Sequence, residues 1–159
     1  HDALPIYRYR IEEELSAPAV IQPEHLFGLM QRYTKDFIAQ TDCSLLSLDK
    51  SEVLRLLDYY LIFRLNLLNS ISMQAQRMSH IPWRQQPSDI RQQFINFLRL
   101  RCLTQAGHKV LKIRMEDLAQ ELHQSRLNVS RMLNALQRDG LLTMSRGVIT
   151  VPQLEALRG

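Results

Sequence analysis

Cysteine is scarce in this chain. Cys43 and Cys102 lie far apart and form no CxxC pair, which excludes a disulfide framework or an iron–sulfur run and leaves both as small apolar fillers suited to a reducing cytoplasm. Long apolar runs are missing too. Leu61-Ile62-Phe63 and Leu67-Leu68 are interrupted by Arg64, Asn66 and Asn69, far short of the roughly 20 residues of a bilayer-spanning helix, so no membrane partner is expected. No basic-then-apolar leader opens the chain and its first residue is His1, so the expectation is a trimmed N-terminus without a secretion signal. His1, His25, His80, His108 and His123 have no metal-ligand spacing. A nucleophile elbow, a Gly-rich phosphate loop and an Asp/Glu cluster on one face are all lacking, which argues against an enzyme and against a metal site.

Acidic residues thin out toward the C-terminus. Residues 1–80 hold 8 Lys/Arg against 10 Asp/Glu, a balance of 8 − 10 = −2, whereas residues 81–159 hold 12 against 6, or 12 − 6 = +6. A positive field attracts polyanions through counterion release and supplies affinity without sequence information. The hydrophobic content of 45% is enough for an ordinary folded core.

Alternation from Ile6 to Arg10 predicts a strand, and a second is expected across Phe37–Leu48 with a turn at Asp42-Cys43-Ser44. Turn residues at Ser16-Ala17-Pro18, Gln22-Pro23 and Gly28 lie between them, so the N-terminal third reads as β. From Ser51, a candidate N-cap with Asp49 just before it, Val53, Leu54, Leu56 and Leu57 predict a short helix. A longer helix follows, in which Leu61, Leu65, Leu68, Ser72, Ala75 and Ser79 recur at heptad spacing up to Pro82. That seam suits a second copy of the chain, with Asn66 and Asn69 available to fix register; packing within one chain is the competing use. The segment Ile81–Pro87, with two prolines, predicts a hinge. Ser88 is the expected cap of a further helix carrying Ile90, Phe94, Phe97 and Leu98, with Gly107 beyond its end.

Met115–Gly140 has the pattern of two short helices crossing at a tight turn. Leu118, Ala119 and Leu122 face inward from the first helix, and Val129, Met132, Leu133 and Leu136 from the second. The second helix then presents Ser125, Arg126, Leu127, Asn128, Ser130, Arg131 and Asn134. Arginine can take guanine O6 and N7, asparagine adenine N6 and N7, and a serine at a helix N-terminus suits phosphate. Leu141–Met144 and Val148–Val151 flank Ser145-Arg146-Gly147, a hairpin that reads as a wing. Arg146 at its tip and Arg114 before the first helix are backbone-phosphate candidates.

The order Leu-Ala-x-x-Leu, Ser-Arg-x-x-Val-Ser-Arg, Gly-Leu-Leu and Gly-x-Ile-x-Val from Leu118 to Val151 resembles the cyclic-AMP receptor and fumarate-nitrate regulator (Crp/Fnr) superfamily. The long helix and the β-rich start resemble that family's dimerisation helix and the later part of its effector β-roll. The fold class implied is α+β: a partial antiparallel β-roll of the cyclic-nucleotide-binding kind over residues 1–58, a dimerisation helix over 59–80 using Leu61, Leu65, Leu68, Ser72 and Ala75, and a winged helix-turn-helix over 81–159. The resemblance also implies a cytoplasmic homodimer on a near-palindromic operator of double-stranded DNA, acting on transcription through RNA polymerase.

Carried over by residue, Arg126 and Arg131 match the family's base-reading arginines and Ser125 its phosphate-contacting serine. Asn128 and Ser130 complete the reading set. Leu127 stands where many members have glutamate, which predicts a different preferred base such as a thymine contacted at its methyl. His123 replaces the usual turn glycine, and histidine tolerates positive φ better than most residues. Only about fifty residues precede the long helix, so the expectation is a chain truncated within its β-roll. In the phosphate-binding segment Gly28-Leu29 replaces Gly-Glu, and Tyr33-Thr34 replaces Arg-Ser or Arg-Thr. Without that arginine, tight cyclic AMP binding at Gly28, Tyr33 and Thr34 is not expected, and the effector stays unidentified. The alternative function is a winged-helix protein–protein adaptor.

Overall fold

A computed structural model of the chain describes residues 8–29, 31–79 and 89–158, the side chains of 77–79 and 158 excepted. Ile6, His80, the expected hinge at Ile81–Pro87 and the expected cap Ser88 lie outside the described residues. Two compact units emerge, one built of residues 8–17 and 89–158, the other of residues 18–79.

The first unit is a four-stranded sheet with helices packed on it. Its elements are β1 (Tyr9–Glu13), α3 (Ile90–Arg101), β2 (Lys109–Ile113), α4 (Met115–Glu121), α5 (Arg126–Arg138), β3 (Thr143–Ser145) and β4 (Val148–Val151), closed by a 3-10 turn at Leu154–Arg158; α1 and α2 belong to the second unit. The strand order is β1-β2-β4-β3, every pair antiparallel. Asp89 caps α3 by accepting from the Arg91 amide at 3.0 Å. Phe94, Ile95, Phe97 and Leu98 of α3 meet Leu118, Leu122, Val129, Leu133 and Leu136 of the two following helices and Leu111, Ile149 and Val151 of the sheet in one core. Burying such side chains contributes about 1.5–3 kcal/mol each.

Strand β2 has no counterpart in the sequence reading, because Lys109 and Lys112 break its apolar pattern. The Lys109 side chain is nonetheless only 1% exposed and pairs with Glu13 of β1 at 3.0 Å, while its ammonium also meets the Thr104 hydroxyl at 2.5 Å. The Glu13 carboxylate further accepts from the Leu103 and Thr104 amides at 2.5 and 3.1 Å. Burial pushes the Glu13 carboxyl up, but those amides and Lys109 outweigh it and hold the group below the usual carboxylate range. At the other end of β1, Tyr9 stacks edge-on against Phe97 at 5.3 Å and its hydroxyl accepts from Arg101, which also pairs with Glu121 at 2.9 Å. Arg8 donates to Gln120. The first strand is therefore part of the sheet beneath the C-terminal helices.

That placement corrects the expectation for the N-terminal third. Of the strand expected over Ile6–Arg10, Ile6 and Tyr7 lie outside the described residues; the described strand runs Tyr9–Glu13, and its partner is β2. Across Phe37–Leu48 no strand forms, and Ile38, Leu45 and Leu46 are exposed. Alternation alone does not hold a strand without a neighbouring strand to satisfy its backbone, so the roll expected over residues 1–58 is not built among the described residues.

The second unit holds a 3-10 turn at Pro23–His25, α1 (Lys50–Tyr59) and α2 (Leu61–Ser79). Asp49, not Ser51, caps α1: its carboxylate accepts from the Glu52 amide at 2.9 Å and from the Ser51 hydroxyl at 2.6 Å. A carboxylate is the stronger acceptor, and the Ser51 hydroxyl serves it as donor. Among the described residues of this unit Val53 and Gln22 are the buried ones. On α2, Phe63, Leu67, Ile71 and Gln74 form a half-buried stripe, whereas Leu61, Leu65, Leu68, Ser72 and Ala75 are exposed.

Candidate nucleic-acid interface

Helix α4 ends where the chain must reverse tightly. His123 takes φ +52°, its amide bonds the Gln120 carbonyl at 3.1 Å and the Gln124 amide reaches the Ala119 carbonyl at 2.9 Å, the Schellman pattern that closes a helix with one left-handed residue. Gln124 then donates to Gln93 of α3 at 3.1 Å, anchoring the turn to the core. Ser125 caps α5 by accepting from the Asn128 amide at 3.1 Å. The helix runs 13 residues to a second Schellman closure at Gly140, φ +72°, where the Leu141 amide meets the Leu136 carbonyl at 2.9 Å.

Helix α5 is sharply two-faced. Val129, Met132, Leu133 and Leu136 are buried, while Ser125, Arg126, Leu127, Asn128, Arg131 and Asn134 are exposed and Ser130 half-exposed. The expected reading residues thus share one outward surface. Arg126 reaches back to Glu116 of α4 at 2.9 Å, but the two side chains are 70% and 58% exposed, so solvent screens the pair and holds its worth to about 0–1 kcal/mol. Arg131 pairs with no carboxylate among the described residues.

The flanking cations sit differently. Arg114 uses its Nε to bond the buried Asp117 at 2.8 Å, and its hydrogen bond and charge push the Arg114 pKa further up. The Arg114 side chain stays 78% exposed. Arg146 is exposed at the tip of the β3–β4 hairpin, whose turn uses Gly147 at φ +74°. The Gly147 carbonyl accepts from the Ile113 amide at 3.0 Å, holding the hairpin against the end of β2. Gln137 adds a link the sequence reading missed: its Oε1 accepts from the Met144 amide at 3.1 Å, tying α5 to β3.

Residues 92–159 match the Crp-like helix-turn-helix domain. The matched stretch runs from within α3 past the final 3-10 turn and points to a DNA-binding regulator. No curated protein matches the chain. No described helix is long and apolar enough to cross a membrane. Of the expected effector residues, Gly28 and Tyr33 are exposed, and Thr34 is tied to Gln22 by bonds of 2.7 and 3.2 Å.

Proposed function

We propose that the chain is a sequence-specific transcription regulator of the Crp/Fnr type that binds double-stranded DNA as a dimer, one α5 in the major groove of each half-site of a near-palindromic operator. One observation carries this reading: a helix with four core residues on one side exposes Arg126, Leu127, Asn128 and Arg131 together on the other, beside a hairpin ending in Arg146. Arg126 and Arg131 take guanine edges, Asn128 adenine, Leu127 a thymine methyl, and Ser130 lies among them. Ser125, Arg114 and Arg146 meet the phosphate backbone and fix orientation. The wing reading of β3–β4 rests on the same geometry.

The exposed α2 stripe supports the homodimer. Leu61, Leu65 and Leu68 are 59%, 46% and 53% exposed while the opposite stripe is spent within the unit, and a heptad seam left bare in one chain fits a second copy. Tight cyclic AMP binding is not part of the proposal, since Tyr33 offers no charge to a cyclic phosphate. Contact with RNA polymerase rests on the family resemblance alone.

Random-pool selection of duplex DNA with the purified chain tests the reading. The expected product is a two-fold symmetric motif bound less tightly as salt rises, with Arg131→Ala costing about 1–3 kcal/mol and relaxing one base position. Arg146→Ala weakens all sequences alike. No enriched motif together with a flat salt response overturns the proposal in favour of a protein adaptor.

A further inference from the structure

Helix α5 carries three arginines, Arg126, Arg131 and Arg138, and no acidic residue. A solvated helix stabilised for its own sake gains from alternating i,i+4 charge pairs; α5 instead carries only cations of its own, Arg126 paired outward to Glu116 and Arg131 and Arg138 paired with no carboxylate among the described residues, which suits a polyanion. Arg131, Asn134 and Arg138 fall at i, i+3 and i+7, and with Gln137 they line an open hollow along the C-terminal half of the helix. All four are exposed.

Length decides what this half can meet. Thirteen residues at 1.5 Å each make a helix of about 20 Å, whereas the major groove is about 12 Å wide. If the N-terminal turns touch base edges, the last turn, about 18 Å along the axis from Arg126 to Arg138, lies beyond the groove floor at the sugar-phosphate wall. Gln137 cannot contribute its carbonyl oxygen there, because that atom holds the Met144 amide at 3.1 Å. Arg138, beside it on the last turn, is exposed.

We infer that Arg138, supported by Asn134, is a backbone-phosphate contact at the far end of the recognition helix, outside the set of base readers. The inference rests on the DNA-binding reading and extends it. A cation in the last turn also complements the partial negative charge of a helix C-terminus, but that role moves the melting temperature and not the salt dependence of binding.

The test uses the full chain and two duplexes of equal length, one carrying the selected motif and one scrambled, in anisotropy titrations over a range of NaCl. Arg138→Ala is expected to weaken both duplexes by the same factor and to lower the slope of log K against log salt by about 0.9 for each phosphate released. Arg138→Lys restores the slope and Arg138→Gln does not. An unchanged slope in Arg138→Ala, with Arg131→Ala still narrowing the gap between the duplexes, overturns the phosphate contact and leaves the regulator reading intact. A loss confined to the selected duplex overturns it as well, by making Arg138 a base reader. Wild-type binding that ignores salt removes both readings.

Discussion

Removal of the Glu13 carboxylate is expected to be among the most damaging changes available outside the apolar core. Glu13 is 8% and Lys109 1% exposed at the side chain, and the carboxylate gathers the ammonium, two amides and the Thr104 hydroxyl. Glu13→Ala strands the ammonium with the Thr104 oxygen as its remaining partner, the situation of a broken buried ion pair that costs about 3–5 kcal/mol. Lys109→Met leaves the carboxylate bound by the Leu103 and Thr104 amides, so its cost should be smaller, about 1–3 kcal/mol. In the double variant no charge is stranded, and the two changes should fall short of additive by at least about 1 kcal/mol. Urea unfolding of the four proteins measures this cycle. Because the folded carboxyl titrates below its unfolded value, its stabilisation is complete above about pH 4.3 and fades as pH falls through the folded pKa. Wild type should thus lose stability faster than Glu13→Gln in that acid window. Additive single changes, or parallel acid profiles, would refute the docking of β1 through this pair.

Three further outcomes follow from the geometry of the helix pair. Glu116→Gln should leave unfolding within about 0.5 kcal/mol, since it breaks an exposed pair, yet tighten DNA binding by removing a negative charge beside Arg126; weaker binding in the same titration would make Glu116 a positioning group for that arginine. His123→Gly relieves a left-handed residue at φ +52° and should raise stability by about 0.5–1 kcal/mol, whereas His123→Val should lower it, both read by thermal melting. Leu133→Ala, at 0% exposure in the heart of the core, should cost about 2–5 kcal/mol, and near-wild-type unfolding would contradict the packing of α5.

Legibility in the sequence followed the range of the interactions. Helices α4 and α5, their buried residues and the turn at His123 were readable because helical periodicity and a closing left-handed residue are local. The β3–β4 hairpin was readable for the same reason, through Arg146-Gly147. Strand β2 was not, since what makes Lys109 an interior residue is a carboxylate 96 positions earlier in the chain. The caps at Asp49 and Asp89 were misassigned by one or two residues where serine and aspartate compete in one turn, and side-chain geometry chose the carboxylate. At Phe37–Leu48 a period-2 pattern was visible, but a pattern does not supply the neighbouring strand. On α5, which residues are exposed was legible; the Glu116–Arg126 pair and the Gln137–Met144 bond, which cross between elements, were not.

Those two cross-links make the exposed face of α5 unequal from end to end. In the proposed complex Arg126 exchanges the Glu116 carboxylate for a base edge, so part of its interaction with DNA would offset a bond already present. Arg131, five residues further on, has no carboxylate partner to give up among the described residues. Its approach is set by a helix closed at both ends and buried along Val129, Met132, Leu133 and Leu136. Rigid placement reduces the ordering cost of binding, and a guanidinium without a competing partner keeps its full bidentate capacity for guanine. Discrimination between sequences should therefore concentrate on the base pair facing Arg131, with the cations at Arg114 and Arg146 contributing affinity that every sequence shares.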